Sequence, residues 1–69
     1  MPLTLAQVGE PVTIRRVAGK DEVRLHLAEL GFVEDAVVTV VSALAGNLIL
    51  QVKDSRVALD AGLASRIFI

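Results

Sequence analysis

The sequence of 69 residues predicts a mainly β domain, a small and partly open β-barrel of about five strands with one α-helix inserted between strands 1 and 2. Short runs rich in β-branched residues alternate with turn residues, as is typical of small barrels. Only one segment has apolar residues at helical spacing. The length allows a single domain, residues 1–69, which buries only roughly 60% of the surface that the unfolded chain exposes.

The N-terminal segment predicts a helical turn followed by the first strand. Thr4 and Gln7 have the spacing of a capping box, which favours one short turn of helix. The first strand is expected at Pro11–Val17, because proline is tolerated at the start of a strand. Its apolar alternation slips by one residue, and this slip predicts a β-bulge at Arg15–Arg16.

The helix is expected from Asp21 to Leu30. Val23, Leu27 and Leu30 stand at i, i+4 and i+7 and form one apolar stripe, with Asp21 as the predicted N-cap. Gly31 predicts the end of the helix, because glycine adopts the left-handed conformation without a Cβ clash.

The second half of the chain predicts four more strands joined by tight turns. Asp60 is expected to cap a short helical turn that runs through Ala64. Turns are expected at 46–47 and 54–55. The strands are predicted at Ala36–Ala43, Leu48–Lys53, Arg56–Leu59 and Arg66–Ile69. This order of elements fits an SH3-like barrel, and the pattern also allows another small barrel such as an OB-like one.

Composition and charge exclude several classes of function. The chain has no cysteine and 54% hydrophobic residues, so its fold depends on an apolar core without disulfides or thiolate zinc sites. The mean hydropathy of +0.64 predicts either a very rich core or an exposed apolar interface. No segment approaches the roughly 20 apolar residues of a membrane helix, and no signal peptide is evident.

The net charge of −1 and the absence of Tyr and Trp argue against nucleic-acid binding. Four cations cluster in sequence, with Asp21 and Glu22 among them. The cluster is either a solvated strand end and helix start, or a patch for an acidic protein partner. Its members are Arg15, Arg16, Lys20 and Arg24.

We expect no enzyme and no cofactor. The chain has a single histidine, and none of its serines stands in a nucleophile-turn sequence. The five glycines stand singly and form no phosphate-binding loop.

Two faces of the helix are candidate sites. Glu22, His26 and Glu29 lie along one flank and offer nitrogen and oxygen ligands for a divalent cation. The bland alternative is an exposed histidine beside two carboxylates.

The second candidate is the helix face opposite the core stripe. It carries Leu25, about 170–180° from that stripe on a wheel of 100° per residue, flanked by Arg24 and Ala28. A large apolar residue there is either a stray surface leucine or part of a docking surface. Outward β-branched residues of the strands form a second candidate surface: Val37, Val41 and Ile49.

The order and spacing of these segments resemble the FeoA family, small domains that accompany bacterial ferrous iron transporters. The family pattern is roughly Leu-x-x-Met-Gly-x-x-Pro-Gly before a Val-rich strand. Here Leu27, Leu30 and Gly31 match its first part, with leucine in place of methionine, and Glu34 and Asp35 replace Pro-Gly. The remaining matches are Thr4-Leu5, Gly9, Gly46, Val57-Ala58-Leu59 and Ala64-Ser65-Arg66-Ile67.

The resemblance implies an SH3-like fold and a non-catalytic cytosolic partner of the GTPase portion of a FeoB-type transporter, which meets the membrane only through that transporter. The alternative that it implies is a metal-responsive regulatory domain, because DtxR-type iron repressors carry a similar SH3-like domain at their C-termini. A third hypothesis, binding of proline-rich peptides as in SH3 domains, is disfavoured because the aromatic groove residues that such domains use are missing.

Overall fold

The computed structural model describes all 69 residues, in six strands and two short α-helices. The strands β1, β3, β4 and β5 form one antiparallel sheet in that order, and β2 pairs with β6 in a second sheet. This confirms a mainly β, partly open SH3-like barrel with its principal helix between β2 and β3. The elements are β1 Pro11–Thr13, β2 Arg16–Val17, α1 Asp21–Glu29, β3 Val37–Leu44, β4 Asn47–Val52, β5 Ser55–Asp60, α2 Ala61–Ala64 and β6 Ile67–Phe68.

The predicted first strand is divided between the two sheets. Val12 pairs with Val38 in the larger sheet, whereas Arg16 pairs with Phe68 in the smaller one. Between them lies Ile14, which is fully buried. The slip in alternation therefore marks a change of sheet, and the predicted bulge was wrong. The true register shift of the sheet lies in β3, between Val40 and Ser42.

The core contains 12 buried residues, all of them apolar. The alternation predicted for β3 is confirmed, because Val38 and Val40 are buried and Val37 is exposed. No polar side chain is buried, so no side chain of the core requires a hydrogen-bond partner. Its members are Leu3, Ile14, Leu27, Phe32, Val38, Val40, Leu48, Leu50, Val52, Leu59, Ala64 and Ile67.

The helix α1 covers the predicted segment except Leu30, but its N-cap differs from the prediction. Lys20 is the N-cap and makes no capping bond through its side chain, so Asp21 is the first helical residue and its predicted capping role was wrong. At the other end Gly31 has φ +102°. The N–H of Gly31 donates to Ala28 O at 3.0 Å and that of Phe32 to Leu27 O at 2.9 Å. These two bonds form a Schellman motif, which satisfies carbonyls left free at the end of a helix.

The side-chain cap predicted for the N-terminal turn is absent, whereas the cap predicted for the turn before β6 is present. A 3₁₀ turn at Leu3–Leu5 follows Pro2 with no side-chain cap, so the capping box of Thr4 was wrong. Asp60 does cap α2, because Leu63 N–H donates to its Oδ1 at 2.8 Å.

Both hairpin turns lie one residue earlier than predicted. Ala45 and Gly46 form the first turn with positive φ of 52° and 80°, and Asn47 already belongs to β4. Lys53, with φ 53°, begins the second turn. Each predicted end of strands 2 to 5 differs from the observed end by one residue.

Candidate functional site

A shallow groove lies beside α1 and has a volume of about 160 Å³. It is smaller than the several hundred Å³ typical of sites that enclose small molecules. The lining residues come from β2, from α1 and from the segment that follows α1: Val17, Arg24, Ala28, Phe32, Val33 and Glu34.

The end of α1 builds one wall of this groove. The Schellman motif at Gly31 reverses the chain, and the next two side chains then have opposite environments. Phe32 is 1% exposed and belongs to the core, whereas Val33 is 46% exposed. Buried Phe32 thus anchors a segment that presents Val33 at the surface.

The three residues predicted for docking lie together on this side of the molecule. Arg24 and Ala28 line the groove. Leu25 does not line it, but helical spacing places it beside Ala28 at i, i+3, and it is 62% exposed. We refer to Arg24, Leu25, Ala28 and Val33 as the α1 surface.

Sequence reasoning missed Val17 and Val33 as members of this region. In the sequence, Val17 is only the last residue of the first predicted strand, and Val33 lies in a loop without periodicity. The available signal for Val33 was its position, because it is a second apolar residue directly after Phe32 at the end of the helix. Nothing local to Val17 indicates that its strand runs beside the helix.

The charges around the groove are of both signs. Arg24 and Glu34 line it from different elements, and Arg24 also lies 3.5 Å from Asp21 in an exposed ion pair. Arg16 stacks over Phe68, with its guanidinium carbon 4.6 Å from the ring centroid, a cation–π contact that holds this side chain against β6. All four clustered cations are exposed.

The candidate metal ligands on α1 lie at the surface of the helix. Glu22, His26 and Glu29 are all exposed on α1, and no three His, Cys, Asp or Glu side chains are grouped so that they could hold a metal ion.

The alternative surface on the strands is only partly exposed. Val37 is exposed, while Val41 and Ile49 are half-buried. Exposed apolar residues also occur far from α1 in sequence, at Leu5 and Leu44. No helix of the structure is both long and apolar enough to cross a membrane.

Comparison with known proteins identifies the family. The chain is similar to the crystal structure of an iron uptake regulatory protein, FeoA, with a TM-score of 0.89 and 25% identity over 97% of this chain and 91% of that one. It is also similar to a manganese-dependent transcriptional repressor, with a TM-score of 0.86 and 19% identity over 100% of this chain and 40% of that one, a likeness of fold. Curated protein sequences give no significant match. The FeoA domain model matches residues 1–69, and the chain therefore belongs to the FeoA domain family.

Proposed function

We propose that this protein is a non-catalytic, single-domain cytoplasmic accessory protein of ferrous iron uptake that docks on the cytosolic GTPase portion of a FeoB-type transporter through the α1 surface. Membership of the FeoA family implies the accessory role in iron uptake. The observation that carries the choice of surface is Leu25, a large apolar side chain that is 62% exposed beside a groove.

The arrangement has the parts of a protein interface. Leu25 and Val33 supply apolar area, the groove accepts a side chain of the partner, and Arg24 and Glu34 provide charges at the edge. Interfaces draw most of their energy from a few central residues. Covering the exposed part of a leucine contributes about 1–2 kcal/mol, which corresponds to roughly tenfold in affinity or more.

The test is binding of purified variants to the cytosolic portion of the transporter. We expect Leu25→Gln to weaken binding about tenfold or more while the melting temperature stays nearly unchanged. Leu5→Gln is the matched control, because Leu5 is 63% exposed and lies in the 3₁₀ turn instead of α1. Equal binding by the wild type and Leu25→Gln would remove α1 from the interface and direct attention to Val37, Val41 and Ile49.

The second candidate is a metal-responsive regulatory domain. The similarity of fold to the manganese-dependent repressor over the whole of this chain is compatible with it. Glu22, His26 and Glu29 are exposed and are not grouped as a metal site, so a bound ion would have to bring them together. Stoichiometric binding of ferrous or manganous ion that is lost in His26→Ala would support this candidate over transporter docking.

A further inference from the structure

The larger sheet has two edges, and they differ in how well they are protected. β1 contains three residues and begins with Pro11, which lacks an N–H, so this edge is short and incomplete as a template. β5 contains six residues without proline, and no strand lies beyond it. β5 is therefore the edge on which another strand can pair.

The hydrogen-bond phase of β5 shows which backbone groups are free. Ala61 N–H donates to Gly46 O at 2.8 Å, just beyond the aligned pair Asn47 and Asp60. Because bonding alternates along an antiparallel strand, residues 55, 57 and 59 bond to β4. The N–H and C=O of Arg56 and Ala58 point to the open edge, and neither residue takes part in a backbone bond outside the strands and helices.

The side chains along this edge are self-complementary. Arg56 and Asp60 lie two residues on either side of Ala58, and all three are exposed. When two copies of β5 run antiparallel and centre on Ala58, Arg56 of each copy lies directly opposite Asp60 of the other. Val57 and Leu59 then face each other on the core side. Small Ala58 leaves the centre unobstructed.

We propose that β5 is a self-association edge, on which a second copy of this chain pairs antiparallel about Ala58 and extends the sheet across both molecules. The N–H and C=O of Ala58 bond to those of Ala58 in the other copy, and those of Arg56 face the backbone of Asp60 in the other copy. The opposed Arg56 and Asp60 set the register, because opposite charges directly across a strand pair stabilise it and like charges oppose it. Asp60 keeps its capping role, since only Oδ1 accepts the bond from Leu63.

This contact is independent of the proposed transporter docking. No residue of β5 lines the groove beside α1. One strand pair is small compared with standard protein interfaces, so we expect a weak dimer that forms at high micromolar concentration.

The test is sedimentation equilibrium of the full chain from micromolar to millimolar concentration. We expect a monomer–dimer equilibrium that Arg56→Glu weakens about tenfold or more, because Glu then opposes Asp60 of the other copy. Arg15→Glu makes the same charge change at an exposed site outside β5 and should leave the dimer intact. Ala58→Pro, checked for folding by its melting curve, should abolish it.

A covalent reporter separates this edge from other faces, because the chain has no cysteine. Ala58→Cys should be captured as a dimer by a short thiol crosslinker far more readily than Ala28→Cys on the α1 surface. A monomer at all concentrations, a dimer unaffected by Arg56→Glu, or preferential crosslinking through Ala28→Cys would each overturn the proposal.

Discussion

Among the glycines, Gly31 is the position where adding a methyl group should lower the free energy of unfolding most. The residue has φ +102°, and a Cβ built on it would lie 2.8 Å from Cγ1 of Val52. Val52 is itself 4% exposed and has little room to move. Gly31→Ala therefore combines two penalties, left-handed strain in the backbone and overpacking against β4.

The magnitude follows from the two terms. Left-handed backbone costs a residue with a Cβ about 1–2 kcal/mol, and overpacking of a filled core costs about 1–3 kcal/mol. The sum of about 2–5 kcal/mol is a large share of the about 3–10 kcal/mol expected for a chain of this length. We expect Gly31→Ala to be folded only marginally, with its urea midpoint much reduced at an unchanged m-value.

Gly46→Ala is the matched control for backbone strain. Gly46 also has positive φ, at +80°, but a Cβ there meets nothing within 4 Å, so only the strain of about 1–2 kcal/mol applies. The difference between the two variants measures the contact with Val52. If both midpoints fall equally, the steric part of this reasoning is refuted. The double variant Gly31→Ala/Val52→Ala should lose less free energy of unfolding than the two single variants lose in sum, because Val52→Ala removes the clashing methyl.

Two further predictions concern the second helix and metal. Asp60→Ala should lower the free energy of unfolding by about 1 kcal/mol, and Asp60→Asn by much less, because asparagine also caps helices; urea titration of both variants measures the difference, and equal losses would contradict the cap. Anaerobic titration with ferrous ion should give only weak binding that His26→Ala leaves unchanged, since exposed ligands without supporting hydrogen bonds hold a metal poorly. A stoichiometric micromolar site would contradict this expectation.

The features that could be predicted from the sequence are those that neighbouring residues determine. Val23, Leu27 and Leu30 define a helix face by spacing alone, and Gly31 ends that helix because no other residue tolerates its conformation without strain. Likewise buried Val38 and Val40 alternate in β3 with neighbours that are exposed or half-buried.

Strand pairing and turn register depend on distant partners and were not predictable in the same way. A slip in alternation shows that a side chain changes face, but a bulge and a change of sheet produce the same pattern in the sequence. Only the pairing of Arg16 with Phe68 shows that the strand changes sheet here. The turn at 45–46 is set by the need to bury Leu48 and Leu50 in β4. That register leaves Asn47 opposite Leu44, although Gly-Asn is the better local turn signal.

The candidate site likewise has one part that the sequence predicts and one part that it does not. Helical geometry alone brings Arg24, Leu25 and Ala28 to one exposed surface. The groove beside them requires β2 and the segment after Gly31 to lie against α1, and no local pattern contains that information.

The hydrophobic residues that give the chain its high hydropathy lie both in the core and on the surface. The sequence allowed either a rich core or an exposed interface, and the fold contains both, with 12 residues buried and seven large hydrophobic residues exposed. A domain of this size has too little interior to bury them all. Exposure alone therefore does not distinguish Leu25 from Leu5 or Leu44. What distinguishes Leu25 is its setting, because helical spacing places it beside Ala28. Ala28 lines the groove together with exposed Val33 and the opposite charges Arg24 and Glu34.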